Sequence, residues 1–132
     1  MRLFHRQSGL DIDLTAGLIQ YTARAGGMPV QCWIKMSRRD GELLHYLVRQ
    51  NGKLVSKELL QQQFFADRKN RAAALIYSIW QIRQYLLIAD MQCDCLRTIH
   101  GYGYRFDAQL SGLEILTTPA VSATPLAEPC AG

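Results

Sequence analysis

Several features that would assign the 132-residue chain to common protein classes are missing. No apolar run approaches the roughly 20 residues that a membrane-spanning helix requires. The first ten residues contain no apolar segment typical of a secretory signal. The motifs Gly-x-Ser-x-Gly and His-Glu-x-x-His and the phosphate-binding P-loop are also absent. We therefore predict that the chain is not an enzyme and has no cofactor, metal or small-molecule site.

The cysteines are few, and their spacing does not suit a metal. Four occur, of which only Cys93 and Cys95 lie close together, whereas Cys32 and Cys130 are isolated. Structural zinc usually requires four ligands, in pairs separated by about two to four residues, and no second pair exists. We therefore expect reduced thiols in a cytoplasmic protein, and the sequence assigns no role to Cys93 and Cys95.

Positive charge is concentrated in one part of the chain. The net charge is +4, but residues 38–105 contain 11 Lys/Arg against 6 Asp/Glu, and no basic residue follows Asp107. A basic central segment suits a polyanionic partner such as nucleic acid, although an ordinary solvated surface would have a similar composition.

The first third of the chain is predicted to form an antiparallel meander. Residues 10–14 alternate strictly between apolar and polar side chains, which is typical of a half-buried strand. Residues 18–23 and 30–34 are further strand candidates, and glycine-containing turns separate the three.

Helical periodicity follows, in three segments. The first begins after Ser37, with Asp40 as its capping partner, and ends at residues 50–52. The second runs from Lys57 to about Phe65 after the N-cap Ser56, and we expect it to bury Leu59, Leu60 and Phe64. The third extends from Asn70, as N-cap, to Ala89, and its predicted core stripe is Leu75, Ile79, Ile82 and Leu86.

Residues 96–106 predict a basic β-hairpin after the third helix. Two short β-runs flank a turn in which Gly101 and Gly103 are expected to supply positive φ angles. The hairpin closes a domain that we assign to residues 1–109. Residues 110–132 are rich in Pro, Thr and Ala, and we predict a disordered tail or linker because they cannot bury enough apolar surface.

Four blocks of the sequence, in order, resemble the winged-helix effector domain of OmpR/PhoB-type response regulators. The resemblance covers about residues 8–108, and its most specific part is the ending Gly-x-Gly-Tyr-Arg-Phe. The blocks are Glu42-Leu43-Leu44-x-x-Leu47, Asn51-Gly52-Lys53-Leu54-Val55-Ser56-Lys57-Glu58-Leu59-Leu60, Ile79-x-x-Ile82-Arg83-x-x-Leu86 and Arg97-Thr98-Ile99-His100-Gly101-Tyr102-Gly103-Tyr104-Arg105-Phe106.

The resemblance implies an α+β fold and a role in transcription. The expected fold is a winged helix-turn-helix with an N-terminal antiparallel sheet, a three-helix bundle and a C-terminal β-hairpin wing. The expected function is sequence-specific binding of double-stranded DNA by a bacterial transcription factor, cytoplasmic and nucleoid-associated. Too few residues precede the helices for a receiver domain. A membrane anchor is expected only if the chain is a fragment of a ToxR/CadC-like regulator.

The resemblance also assigns candidate contacts to residues of this chain. The third helix would enter the major groove, and the wing tip would approach the minor groove. The proposed base contacts are Arg71, Tyr77, Gln81 and Gln84; the wing-tip residues are His100 and Tyr102; the phosphate contacts are Arg83, Arg97, Thr98, Lys53 and Lys57. Glutamine can pair with adenine, and Ile76 or Tyr77 can contact a thymine methyl group.

The outer face of the third helix departs from the family because it has few cations. Tyr77 and Trp80 could contact DNA, form an apolar patch for protein association, or lie in the core of a rotated helix. The alternative function is therefore a dimerisation or partner-binding module that uses Ile76, Tyr77 and Trp80. The family further suggests contact with RNA polymerase through residues Ala66–Asn70, and homodimers on direct repeats.

Overall fold

A computed structural model describes residues 1–88, 95–109 and 112–117. An antiparallel meander begins the chain, as predicted, although it contains one strand more than the three candidates. The four strands are β1 (Arg2–His5), β2 (Leu10–Asp13), β3 (Leu18–Ala25) and β4 (Met28–Lys35). The alternation in β2 buries Leu10 and Ile12 and leaves the intervening aspartates half-buried.

The three predicted helices are present, and each begins after the predicted cap. They are α1 (Arg38–Arg49), α2 (Lys57–Phe64) and α3 (Arg71–Ile88). Ser37 Oγ accepts from Asp40 N at 3.2 Å, Ser56 Oγ from Leu59 N at 3.1 Å, and Asn70 Oδ1 from Ala73 N at 3.1 Å. These bonds satisfy backbone donors that a helix leaves unpaired in its first turn. Ala89, the predicted end of the third helix, lies outside the described residues.

The prediction that Leu59 faces inward is wrong. Leu60 is fully buried, whereas Leu59 is 42% exposed. Adjacent residues of a helix point about 100° apart, and in α2 Leu60 faces the core while Leu59 points toward solvent.

A second, smaller sheet follows the helices. It consists of β5 (Leu54–Ser56), β6 (Leu96–Ile99) and β7 (Gly103–Phe106), in the order β5-β7-β6. The antiparallel pair β6–β7 is the predicted hairpin, which we call the wing. Strand β5 precedes α2 directly, so its pairing with β7 holds the wing beside the start of α2.

The larger sheet continues beyond the predicted domain boundary at residue 109. Strand β8 (Leu113–Leu116) pairs antiparallel with β1 and completes the order β4-β3-β2-β1-β8. Arg6 Nε also contacts a Glu114 carboxylate oxygen at 3.0 Å. Residues 113–116 therefore belong to the folded sheet and not to the predicted tail, whose residues 118–132 lie outside the described part.

The predicted thiol chemistry needs one correction. Cys95 is fully buried and disulfide-bonded, so the expectation of reduced thiols is wrong for this residue. Cys32, on β4, is a free thiol, and Cys93 and Cys130 lie outside the described residues. In the described ranges, no helix combines the length and apolar character of a membrane span.

Candidate nucleic-acid interface

The position of α3 is fixed by its inner face. Leu75, Ile79, Ile82 and Leu86 are all buried, as the periodicity predicts, and Phe106 of the wing lies in the same core. On the same side, the Ser78 hydroxyl donates to a carboxylate oxygen of Asp40 on α1. Both side chains are buried. These contacts determine which side chains α3 can present to solvent.

The outward face of α3 is apolar. Ile76, Tyr77 and Trp80 are 62%, 64% and 52% exposed. The rings of Tyr77 and Trp80 lie against each other, with centroids 6.0 Å apart and planes inclined at 30°. The interpretation in which Tyr77 and Trp80 are core residues of a rotated helix is therefore excluded, and they form one surface, which we call the α3 face, with Ile76.

The two predicted glutamines lie beside the α3 face and are half-buried. Gln81 Nε2 donates to the Tyr85 hydroxyl at 3.4 Å, a weak bond that a stronger acceptor could replace. Gln84 lies on the next turn after Trp80.

Arg83 joins α3 to the wing. Its Nη2 donates to the Leu96 carbonyl and to Thr98 Oγ1, both at 2.9 Å, and its Nε donates to the same carbonyl at 3.3 Å. The structure thus brings together two predicted phosphate contacts, Arg83 and Thr98, but pairs them with each other. The periodicity of α3 could not reveal this pairing, because it depends on the position of β6.

The loop before α3 is exposed and held at both ends. Arg71 Nη2 donates to the Ala66 carbonyl at 3.2 Å, and Arg39 Nη2 contacts Asp67 Oδ2 at 2.9 Å. The hydrogen bond from Arg39 lowers the pKa of the Asp67 carboxyl group. The Arg39 guanidinium also lies 5.4 Å from the centroid of the Phe65 ring. The loop therefore has a defined conformation while its side chains remain exposed.

The wing tip is anchored to the start of α2. Tyr102 N donates to the Ile99 carbonyl at 3.0 Å, which closes the turn, and Lys57 N donates to the Tyr102 carbonyl at 2.9 Å. His100 and Tyr102 are exposed at the tip. The predicted tip residues are thus presented to solvent by a turn whose backbone is tied to a helix.

The glycines of the wing have different roles, which corrects one prediction. Gly101 has a positive φ of 81°, as expected, but Gly103 is not among the positive-φ glycines. A Cβ atom at residue 103 would overlap the Val55 carbonyl oxygen and lie 2.8 Å from Lys57 N. Gly103 is therefore required by the close approach of β5 and not by turn geometry.

The outer face of the wing concentrates positive charge. Arg97 lies directly opposite Arg105 in the β6–β7 register. In the described part of the chain, no carboxylate lies within ion-pair distance of either side chain. Like charges directly opposite each other destabilise a sheet unless an anion lies between them. Arg105 was not among the predicted phosphate contacts, although its alternation with Tyr104 and Phe106 places it on this outer face.

A surface cleft separates the wing tip from α2 and α3. Its walls combine apolar side chains with hydrogen-bond donors of several residues that are predicted to contact DNA. The cleft opens beside the α3 face. The lining residues include Lys57, Gln61, Ile76, Thr98, His100 and Tyr102. Lys53 lies outside this cleft and is exposed just before β5. An elongated ligand that contacts α3 would therefore meet the wing as well.

Residues 31–106 match the family described as "Transcriptional regulatory protein, C terminal". The chain belongs to this OmpR/PhoB-type family. Its members are DNA-binding domains of transcription regulators and not enzymes, so the predicted family, fold class and non-enzymatic character are confirmed. No curated protein is similar enough in sequence to match the chain.

Solved structures of several DNA-binding regulators share the fold. The DNA-binding domain of Escherichia coli CadC has a TM-score of 0.56 at 17% identity, and covers 74% of this chain and 84% of its own. The DNA-binding domain of the response regulator AdeR, in complex with an intercistronic region, has a TM-score of 0.55 at 13% identity. The match covers 74% of this chain and 93% of the AdeR chain. Response regulator DrrB of Thermotoga maritima, an OmpR/PhoB homologue, has a TM-score of 0.52 at 26% identity. The match covers 74% of this chain and 41% of the DrrB chain.

Proposed function

We propose that the chain regulates transcription by binding specific double-stranded DNA, with α3 in the major groove and the wing at the minor groove. The observation that carries the proposal is the position of the α3 face next to a wing on which Arg97 lies opposite Arg105. An α-helix fits the major groove, and cations beside it attract the phosphates. The AdeR DNA-binding domain, which has a similar fold, is in complex with an intercistronic region, and this supports a DNA-binding role for the chain.

The proposed contacts fall into three groups. Bases would be contacted by residues of α3, and the minor groove would be approached by the wing tip. The base contacts are Arg71, Tyr77, Trp80, Gln81 and Gln84; the wing-tip contacts are His100 and Tyr102; the phosphate contacts are Lys53, Lys57, Arg97, Thr98 and Arg105. We assign Arg83 to positioning β6, since its Nε and Nη2 already donate within the domain.

The proposal is tested by fluorescence anisotropy with a duplex that the chain selects from a random library. Affinity should fall as salt rises, and Trp80→Ala/Gln81→Ala should lose selectivity for the chosen duplex. Trp33→Ala is the matched control, because Trp33 is 56% exposed on β4 of the other sheet. Absence of selective binding by a folded wild-type chain would overturn the proposal.

A second candidate function is a protein-interaction module. The specific observation in its favour is the exposure of three large apolar side chains on the α3 face. Sedimentation velocity without DNA distinguishes the two functions. A DNA-binding role predicts a monomer, whereas a dimer that dissociates on Trp80→Ala would favour the interaction module.

We propose two macromolecular partners besides DNA. Residues Ala66–Asn70 form an exposed loop held at both ends, which suits contact with RNA polymerase. Arg68→Ala/Lys69→Ala should then reduce transcription activation without reducing DNA affinity. A homodimer on direct repeats would be detected as cooperative binding to a duplex with two sites but not to a duplex with one.

A further inference from the structure

The α3 face lacks the side chains that recognise guanine. Guanine is identified in the major groove by a cation that donates to both O6 and N7, most often arginine. From Ala72 to Trp80, the exposed residues of α3 include no lysine or arginine. The nearest cation along the helix, Arg83, donates to Leu96 and Thr98. Arg71, one of the proposed base contacts, precedes this stretch at the first residue of α3, and its Nη2 donates to the Ala66 carbonyl.

The polar atoms that the face does present cannot replace an arginine. The Trp80 indole has a single N–H, and the Tyr77 hydroxyl has a single O–H. One donor can bond one base acceptor, and such acceptors occur on more than one base, so it does not distinguish guanine. Selection of a sequence by the middle of α3 must therefore depend on contacts other than the bidentate contact to guanine.

Apolar side chains have one specific partner in the major groove of unmodified DNA. The C5-methyl group of thymine is the only apolar group that the base edges present there. Ile76, Tyr77 and Trp80 lie at i, i+1 and i+4 on α3 and form one continuous apolar surface. Burial of a methyl group against such a surface is favourable, whereas a guanine or cytosine edge would leave its polar groups without partners.

We propose that Ile76, Tyr77 and Trp80 determine specificity by contacting thymine methyl groups, so that the target is rich in A·T pairs beneath the middle of α3. The inference rests on the proposed function, because it requires α3 to lie in the major groove. Gln81 and Gln84, on the following turn, can pair with the adenines of the same A·T pairs. The cations of the wing and of α2 supply affinity for phosphate without selecting a sequence.

The test removes the methyl group and keeps the base pair. The full chain first selects duplexes from a random library, and each thymine of the selected site is then replaced by deoxyuridine, one at a time. Anisotropy titrations should identify thymines whose replacement weakens binding by about fourfold each, the value of one buried methyl group. The selected sites should be A·T-rich at these positions.

Matched variants assign the effect to the α3 face. Ile76→Ala should bind the thymine and deoxyuridine duplexes with equal affinity at the position that Ile76 contacts. Val30→Ala removes a similar exposed side chain on β4. This variant should retain the full difference in affinity between the thymine and deoxyuridine duplexes. Thermal unfolding of each variant checks that the domain remains folded.

Failure of the inference differs from failure of the proposed function. Selective binding to a guanine-rich site, with no effect of deoxyuridine at any position, would overturn the inference and leave DNA recognition by α3 in place. Binding without sequence preference would also overturn the inference. Absence of duplex binding by a folded chain that dimerises through Trp80 would overturn both and make the α3 face a protein-binding surface.

Discussion

At the residue scale, the most consequential contact lies beneath the α3 face. Asp40 and Ser78 are both buried, and the Ser78 hydroxyl donates to the Asp40 carboxylate. Asp40 belongs to the first turn of α1, and Ser78 lies midway along α3. A buried carboxylate is costly unless it is hydrogen-bonded, so the pair fixes how α3 packs on α1.

The first prediction concerns this pair. Ser78→Ala should lower the free energy of unfolding by about 1–3 kcal/mol, because it leaves the Asp40 carboxylate without this donor. Urea denaturation measures the change. The same substitution in an Asp40→Asn background should cost less, since no buried charge remains. A Ser78→Ala variant as stable as the wild type would contradict this account.

The second prediction concerns pH. Burial lowers the pKa of the half-buried His45 on α1, and the neighbouring Arg49 guanidinium and the N-terminal ammonium group lower it further, against a weaker opposing effect of Asp13. Below the usual value of 6.5, the unfolded chain takes up a proton that the folded chain resists. The free energy of unfolding should therefore fall as the pH drops below 6.5.

Two variants test the assignment to His45. His45→Gln should show a smaller loss of stability between neutral and mildly acidic pH, measured by urea denaturation. Ile76→Ala, which removes no titratable group, should show the same loss as the wild type. An unchanged pH dependence in His45→Gln would exclude His45 as its source.

At the element scale, the wing depends on close contact between strands. Residue 103 pairs with Ser56 across the β5–β7 register, and the Lys57 amide behind it is bonded to the wing tip. A side chain at this position would separate β5 from β7. The orientation of the wing relative to α2 thus depends on the absence of a single Cβ atom.

The third prediction compares the two glycines of the wing. Gly101→Ala should lower the free energy of unfolding by about 1 kcal/mol, because φ is positive at this residue but the space around it is open. Gly103→Ala should cost clearly more, since the added Cβ meets backbone atoms on β5. Equilibrium unfolding of both variants provides the comparison. A Gly103→Ala cost equal to or below that of Gly101→Ala would contradict the role assigned to Gly103.

The fourth prediction distinguishes the role of Arg97 from that of Arg83. Arg97→Ala should weaken binding uniformly across DNA sequences and reduce the slope of log affinity against log salt by about 1, because it would remove the phosphate contact that we propose for Arg97. Arg83→Ala should instead lower stability, because its donors hold β6 to α3. Anisotropy and urea denaturation together measure both effects. The assignment fails if Arg83→Ala changes the salt slope while leaving stability intact.

At the scale of the whole molecule, local patterns predicted most elements. The stripe of Leu75, Ile79, Ile82 and Leu86 predicted both α3 and its inner face, whereas the exposure of Trp80 was left open by the sequence and decided by the structure. Cap residues gave the start of every helix because capping depends on neighbours only three positions apart. The family resemblance followed from the same local blocks.

Features that depend on distant parts of the chain could not be predicted. Strand β8 is short, and its position in the sheet depends on pairing with β1, which lies more than a hundred residues earlier in the sequence. The Arg83–Thr98 bond requires β6 to pack against α3. Gly103 was assigned to a turn because its sequence context does not reveal that β5 lies against it. In each case the deciding contact is tertiary.

The most direct test of the central claim is backbone NMR of the ¹⁵N-labelled chain, titrated with its selected duplex. The account predicts chemical-shift changes in α3 from Arg71 to Gln84, in the wing around His100 and at the start of α2, with little change in the β3–β4 hairpin. Changes confined to the five-stranded sheet around Trp33, with α3 and the wing unaffected, would contradict it.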